Sequence, residues 1–194
     1  MSTPTSQPPV LAPPGAGLPL PELWIARTLF AFSRWSYNRD TATAVFREEQ
    51  RKIAALLEHC APEHAEQPVL IPRLRGLEDS SRRWSVWMTL DHLRITNNVF
   101  SNVILCLAKN TVPPGAASTA TVKPSTNATR EVEPHYTQSC ADVLNALEQS
   151  PNLKTKLKFA HPWFGPMNAE GWHLLTGLHM SIHRKQIAAI LGRL

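Results

Sequence analysis

The chain has 194 residues, of which 43% are hydrophobic and 7% aromatic, with 8 glycines. This balance favours a helix-rich globular protein over a barrel or sandwich, which needs more turn residues and more β-branched or aromatic ones. The net charge of +5 comes without a cluster of Lys and Arg beside stacking aromatics, so no nucleic-acid partner is expected.

The cysteines and the hydropathy pattern bear on location. Cys60, Cys106 and Cys140 are far apart and form no CxxC pair, a sparse, odd count typical of a reducing compartment. The N-terminus lacks the pattern of a signal peptide, and no run approaches the ~20 apolar residues of a membrane span. We expect a cytoplasmic protein with no membrane partner.

Residues 1–21 contain seven of the 17 prolines. Such a segment buries little apolar surface and cannot form a helix, so we expect a disordered tail. The rest, residues 22–194, is predicted to be one helical domain. It starts near Pro21, because proline suits a first helical turn.

Two patterns follow the tail, and whether they form one kinked helix or two is left open. In residues 23–37 the apolar positions Ile25, Leu29 and Phe32 recur at helical spacing, and Trp24 and Phe30 widen this apolar stripe. In residues 41–59 Asp40 or Thr41 would be the N-cap.

The remaining predicted elements are, in chain order, a connection (61–81), a long helix (82–109), a loop (110–134), a short helix from Ser139 to about Glu148, an extended segment (153–165) and a last helix (169–192) capped by Asn168. Four principal helices predict an all-α fold, most simply a four-helix bundle.

The last helix carries two histidines on its apolar side. At 100° per residue, one arc contains Trp172, Leu175, His179, His183, Gln186 and Ile190. The Cβ atoms of residues four apart lie about 5–6 Å from each other, so two imidazoles can bind one ion at about 2.0–2.1 Å each. The alternative is a pair of buried histidines held by hydrogen bonds.

A third histidine occupies the apolar side of the helix at 82–109. Its arc contains Trp84, Met88, His92, Ile95, Val99, Val103 and Cys106. His92 is either a core histidine bonded to a backbone carbonyl or the third ligand of a site with His179 and His183. Three imidazoles leave one coordination position for water or substrate, as in catalytic zinc sites. Gln186 would orient a ligand or remain a buried amide held by the backbone.

Other histidines and acidic residues are not predicted to be metal ligands. Glu170 and His173 form a single ExxH, and His173 falls off the apolar arc, so a di-iron site is not expected. His173→Ala should then change neither metal binding nor stability. Asp91 is predicted to point away from His92 toward the surface, and His161 is predicted to be structural.

The stretches WSVWMTLDHL and HPWFG, followed by W-x6-H-x3-H-x2-Q-I from Trp172 to Ile187, resemble the DinB-like family, which includes the YfiT-like proteins. The HPWFG stretch, His161 to Gly165, is similar to one subgroup in particular. The resemblance spans roughly residues 41–193. It implies an up-down-down-up four-helix bundle whose divalent metal, nickel or zinc, is held by His92, His179 and His183.

For function, the resemblance implies a metal-dependent hydrolase or a thiol-dependent S-transferase acting on a small-molecule substrate. Such transferases use a low-molecular-weight thiol, bacillithiol or mycothiol. Some relatives dimerise through an exposed helix face, which allows a homodimer here. The alternative is a non-enzymatic, metal-stabilised bundle or stress-associated binding module. A coordination position open to a pocket would favour the enzyme, whereas a closed site would favour the scaffold.

Overall fold

The structure, a computed structural model, describes residues 10–58 and 60–194. Its helices are α1 (Leu20–Ser36), α2 (Arg39–Glu58), α3 (Pro62–Ala65), α4 (Val86–Ala108), α5 (Val132–Glu148) and α6 (Ala169–Leu191). Its strands are β1 (Val69–Leu70), β2 (Arg83–Trp84), β3 (Phe159–His161) and β4 (Gly165–Met167), and a 3₁₀ turn spans Asp79–Ser81. None of these helices is long and apolar enough to cross a bilayer.

Helices α2 and α6 lie side by side in the same direction. Thr43 near the start of α2 lies 3.1 Å from the ring of His173 near the start of α6. Further along both helices, Arg184 donates to the carboxylate of Glu49 at 2.5 Å. Because the second contact lies further along both helices than the first, the helices are parallel.

Helix α4 runs against α6. His92, in the first half of α4, lies beside His179, whereas Phe100, two turns later, lies beside Trp172 near the start of α6. The two helices are therefore antiparallel, which brings the predicted histidines to the same level of the bundle.

The segment between α4 and α5, residues 109–131, is a crossover loop. It returns along α4, because the Val122 carbonyl accepts a hydrogen bond from His92 near the start of that helix. α5 therefore begins where α4 begins, and its Ser139 meets Asn97 of α4. The four helices of the bundle, α2, α4, α5 and α6, run up, down, down and up, which confirms the predicted fold class.

All four helices of the bundle contribute to one apolar core. Burying each large aliphatic or aromatic side chain in such a core stabilises the fold by about 1.5–3 kcal/mol. Its members include Phe46, Ile53, Leu90, Leu93, Ile104, Val143, Met180 and Ile187.

Capping residues define the starts of the two helices that carry the histidines. Ser85 Oγ accepts from the Met88 N–H at 3.1 Å, so α4 begins at Val86 and not at residue 82. The residues just before Ser85 form β2, which pairs with β1 instead. Asn168 Oδ1 accepts from the Gly171 N–H at 3.1 Å and caps α6 as predicted.

Residues 37–38 separate α1 from α2, so the two patterns form two helices. Asn38 Oδ1 accepts from the Thr41 N–H at 2.8 Å. The predicted caps, Asp40 and Thr41, are therefore inside the helix, and Asn38 holds its first turn. The end predicted at residue 59 lies just outside the described residues.

α5 begins earlier than predicted. Val132 and Tyr136 are buried and extend the helix upstream of Ser139, which is an interior residue whose hydroxyl donates to the Tyr136 carbonyl at 2.7 Å. Pro134 lies in the first turn, where a helix loses no hydrogen bond to proline. Tertiary burial thus outweighed the local capping signal.

The extended segment before α6 folds into a hairpin. β3 pairs with β4 in antiparallel register, with Phe159 opposite Met167 and His161 opposite Gly165. Gly165 has a φ of +70°, a left-handed conformation that glycine adopts without strain at the end of a three-residue hairpin loop.

From its tenth residue on, the segment before α1 differs from the expected disordered tail. The N–H groups of Gly15 and Gly17 donate to Glu78 Oε1 at 3.1 and 3.0 Å, and the Ala12 N–H donates to Asp79 Oδ2 at 2.8 Å. The backbone N–H groups of a proline-rich segment find few hydrogen-bond acceptors within the segment itself. Here two carboxylates from elsewhere in the chain accept from them. The first nine residues lie outside the described part of the chain.

Only one edge of the predicted apolar stripe of α1 packs against the bundle. Ile25, Leu29 and Phe32 are exposed, whereas Phe30 is buried and stacks on Phe164 with ring centroids 4.4 Å apart. The sequence pattern showed an apolar stripe but not which side of the helix would meet the hairpin.

Candidate metal centre

The structure brings His92, His179 and His183 together. Their ring centroids lie 5.1 Å apart for His92 and His179, and 4.5 Å apart for each of the other pairs. One ligand atom from each ring lies within 4.8 Å of the others. The convergence expected from the helical arcs is therefore present.

His92 reaches this point from the second turn of α4. Its Nδ1 lies 2.6 Å from the Val122 carbonyl, which can only accept, so Nδ1 carries the proton and donates. Nε2 of this neutral ring then carries no proton and has a free lone pair. It lies 3.2 Å from Nε2 of His179. Two imidazole ligands of a tetrahedral ion would be about 3.4 Å apart.

His183 is held in the same tautomer by Gln186, one turn further along α6. Gln186 donates its amide N–H to the Ser81 carbonyl at 2.7 Å, so its Oε1 is free to accept from His183 Nδ1 at 2.7 Å. His183 Nε2 is therefore also unprotonated and has a free lone pair. Gln186 is fully buried, and it is both an amide held by the backbone of Ser81 and the partner that orients the His183 ring.

His179 completes the cluster. Its Nδ1 is buried and has no hydrogen-bond partner among the described residues. The ring of Phe100 stands edge-on to it, with centroids 5.5 Å apart. Its Nε2 is the nitrogen that lies 3.2 Å from Nε2 of His92. A buried polar atom left without a partner costs about 1–3 kcal/mol.

Burial keeps all three rings neutral. Desolvation lowers the pKa of His92 to about 4 and lowers those of His179 and His183 well below the ordinary value. A neutral imidazole is the form that binds metal, so no proton has to leave before an ion binds at neutral pH.

The triad lies in the wall of a cavity of about 890 Å³, a volume typical of small-molecule sites. Most of the lining is apolar and comes from α1, α4, α6 and the hairpin. Its large apolar members include Phe30, Val99, Phe159, Trp163, Phe164 and Trp172.

The charged side chains in the cavity wall are all engaged in ion pairs. Lys123 forms an ion pair with Glu78, and Arg94 pairs with Asp91 at 2.8 Å. Burial alone would raise the pKa of Glu78, but hydrogen bonds from Lys123 and the Gly17 N–H, with the charge of Lys123, lower it. Glu78 is therefore an ionised anchor and a poor proton acceptor.

Asp91 is buried rather than directed to the surface. Besides pairing with Arg94, it accepts from the Ser125 N–H at 2.8 Å. It does not turn toward the triad, but it fixes the crossover loop whose Val122 carbonyl orients His92.

Two aromatic neighbours of the triad were not assigned a site role from the sequence. The ring of Trp84 lies 5.1 Å from that of His92 and 6.1 Å from that of His183, and it shields the cluster on one side. His161 lines the cavity and lies 5.5 Å from the ring of Trp172. The HPWFG stretch could have indicated a site role for His161. For Trp84, the sequence offered only its position on the same helical arc as His92.

His173 corrects one expectation. It is only 1% exposed, and its Nε2 lies 3.1 Å from Thr43 Oγ1 on α2. α6 is central and buries a second face against α2, so the position opposite the triad is also interior. His173 is not part of the triad, but the expectation that His173→Ala leaves stability unchanged no longer holds.

No protein-family model and no curated protein matches the chain. Among solved structures it is similar to TT2238, described as a four-helix bundle protein, with a TM-score of 0.58 and 20% identity. The similarity covers 78% of this chain and 99% of TT2238. At this identity the likeness shows the fold alone. The chain is a four-helix bundle with a largely buried histidine cluster in the wall of an apolar cavity.

Proposed function

We propose that the chain is a divalent-metal protein of the DinB-like type, in which His92, His179 and His183 hold one nickel or zinc ion. The observation that carries the proposal is the pair of imposed tautomers. Val122 and Gln186 leave His92 and His183 with lone pairs at Nε2, beside the Nε2 of His179. Without a metal, His179 Nε2–H can donate to His92 Nε2 at 3.2 Å. With its proton on Nδ1, His179 would present a third Nε2 lone pair, and the three nitrogens could bind one ion.

The setting of the cluster favours an enzyme over a scaffold. Three protein ligands leave a coordination position free, and here all three ligands line the cavity. When bound, the metal would lower the pKa of a water or thiol ligand and polarise an electrophile. We therefore propose a metal-dependent hydrolase or a thiol-dependent S-transferase that acts on a small molecule.

The residues around the cavity indicate what this chain would contribute. Gln186 and Val122 orient the rings, and Trp84 and the aromatic wall exclude water. Glu78, the one carboxylate that lines the cavity among the described residues, is committed to Lys123. Without a free carboxylate base, transfer from a thiol fits better than hydrolysis, because a thiol has a lower pKa than water and would need less assistance to ionise beside an ion held by the three histidines.

The metal site is tested by elemental analysis of protein purified without a histidine tag. We expect about one nickel or zinc per chain, lost in His179→Ala and His183→Ala. Gln186→Leu should keep the ion but bind it roughly 10–100-fold more weakly, because His183 loses its orienting partner. His135→Ala, at an exposed position on α5, is the matched control. Equal metal content in wild type, triad variants and control would refute the site.

The non-enzymatic alternative has one observation in its favour, namely that the acidic side chains beside the cavity all serve structural ion pairs. Replacement of the native ion with Co²⁺ separates the two functions. If small thiols shift the visible absorption bands, the coordination position is open and the transferase is supported. If the spectrum does not respond to thiols or small anions while cobalt raises the melting temperature, the protein is a metal-stabilised scaffold.

A further inference from the structure

His161, the last residue of β3, has a ring N–H that donates to no other described residue. The backbone N–H of Trp163 donates to His161 Nδ1 at 3.1 Å, so Nδ1 carries the lone pair. Burial lowers the pKa of His161 to about 4, which keeps the ring neutral at pH 7. The single proton of the neutral ring is therefore on Nε2.

This tautomer is the opposite of the one that the surroundings impose on His92 and His183. Those two rings donate from Nδ1 and keep a free lone pair at Nε2, which is what a metal ligand needs. In His161 the nitrogen farther from the backbone is a donor instead. His161 is thus suited to hold an acceptor atom of a ligand and unsuited to bind an ion through Nε2.

His161 and the histidine triad line the same cavity. Two aromatic rings connect them, since the ring centroid of Trp172 lies 5.5 Å from that of His161 and 5.8 Å from that of Phe100. Phe100 in turn lies 5.5 Å from His179. The cavity of about 890 Å³ has the volume of a small-molecule site, so one ligand can contact both His161 and the triad.

The charges of the cavity wall restrict the class of ligand. Lys123 pairs with Glu78 and Arg94 pairs with Asp91, so the charged side chains that the structure describes in this wall are already engaged. Most of the other lining residues are aromatic or aliphatic. Burial of an ionised carboxylate or phosphate against such a wall costs free energy that no free cation offsets. An uncharged, largely apolar molecule suits this wall.

We propose that the cavity binds an uncharged, largely apolar carbonyl compound whose oxygen accepts a hydrogen bond from His161 Nε2. Such a bond orients the carbonyl group and makes its carbon more electrophilic. As the substrate class of an S-transferase, the inference rests on the proposed function. The binding of the carbonyl compound itself does not require the ion.

The competing arrangement has the His161 N–H directed at the face of Trp172, whose ring plane is inclined at 63° to that of His161. An N–H bond to an aromatic face is weak. His161 would then support the cavity wall without touching the oxygen of a ligand. Its replacement would affect ligands with and without a carbonyl group equally.

Two neutral fluorescent probes separate the two arrangements. Prodan, a naphthalene ketone, has a carbonyl acceptor, whereas N-phenyl-1-naphthylamine has none. Both should bind the full chain with a blue-shifted, stronger emission. His161→Phe should weaken the binding of prodan about 5–10-fold, through the loss of one hydrogen bond, and change that of N-phenyl-1-naphthylamine less than about twofold. His135→Phe, at an exposed position on α5, is the matched control and should change neither.

The infrared carbonyl stretch of bound prodan gives a second readout that needs no variant. In the wild type it should lie below its frequency in an apolar solvent, because the oxygen accepts a hydrogen bond. In His161→Phe it should return to that frequency. Circular dichroism shows whether this variant is folded, and His161→Leu replaces it if it is not.

Both measurements are made on the full chain as purified and again after treatment with a chelator. The same result in both samples supports the inference, whether or not elemental analysis finds an ion, so failure of the metal site is seen separately. Absence of prodan binding overturns the inference, as does an equal loss of both probes in His161→Phe. A carbonyl stretch in the chelated wild type at the frequency of the apolar solvent also overturns it.

Discussion

Buried histidines on α6 face two different surroundings. His179 and His183 meet a third imidazole beside the cavity, whereas His173 meets a threonine hydroxyl in the contact between α6 and α2. Only the first arrangement brings three imidazole nitrogens within reach of one ion. The residue type is the same, but the neighbours decide whether it is a candidate ligand or a core polar group.

His173 gives a prediction about pH. Desolvation, aided by the charge of Arg39, lowers its pKa from 6.5 to about 4. The unfolded chain therefore binds more protons than the folded one between these values. Stability is fully present above about pH 6.5 and falls as the pH drops toward 4.

Urea unfolding should show a loss of about 1–3 kcal/mol across this window from His173, with a further loss from His161, whose pKa burial also lowers to about 4. His173→Gln should flatten the pH dependence and cost about 1 kcal/mol at pH 7 through the weakened bond to Thr43. His135→Gln, at an exposed site, should leave the slope unchanged. An identical slope in His173→Gln would contradict this assignment.

At the scale of elements, the α2–α6 contact depends on one small residue. A Cβ on Gly177 would lie 3.0 Å from Val45 Cγ1 and 3.1 Å from the backbone nitrogen of Phe46. Glycine is otherwise a poor choice here, since in a helix interior it costs about 1 kcal/mol relative to alanine. The close approach of the two backbones explains its presence.

Gly177→Ala should therefore lower the free energy of unfolding by about 1–3 kcal/mol, because the backbone of α2 must move to admit the methyl group. Gly192→Ala, whose added Cβ meets a single carbonyl at 3.4 Å, is the control and should be nearly neutral. Chemical denaturation of both variants measures the difference. A stabilised Gly177→Ala would show that helix propensity outweighs packing at this site.

At the scale of the whole molecule, Glu78 binds two segments that are distant from it in sequence, the segment before α1 and the crossover loop. It accepts from the N–H groups of Gly15 and Gly17, from the hydroxyl of Thr119, and from Lys123 in the crossover loop. The segment before α1 and the loop that supports His92 are thus anchored at one carboxylate, which is 4% exposed.

Glu78→Gln should destabilise the protein by about 3 kcal/mol, because Lys123 would keep a largely buried charge without its partner. Hydrogen exchange should accelerate at Gly15 and Gly17 and in the loop near Val122. Glu48→Gln removes an exposed ion pair with Lys52 and should cost less than 1 kcal/mol. Unchanged exchange in both segments after Glu78→Gln would disprove the anchoring role.

Periodicity determined much of the bundle and of the candidate site. The helical spacing of His179 and His183, and the matching arc of His92, depend only on 100° per residue and on burial of the apolar side. That is why the convergence of the three rings could be predicted. Gln186 followed from the same spacing, and Asn168 from local capping chemistry.

Only the tertiary structure decided which of several apolar sides faces the core. α1 displays most of its apolar stripe, because its charged residues bind partners in Arg73, Gly76, Trp163 and Asn168 that are far away in sequence. His173 is interior because α6 packs on two sides, and α5 starts early because Val132 and Tyr136 find the core. A sequence pattern records local periodicity, whereas burial depends on long-range neighbours, and those exist only once the chain has folded.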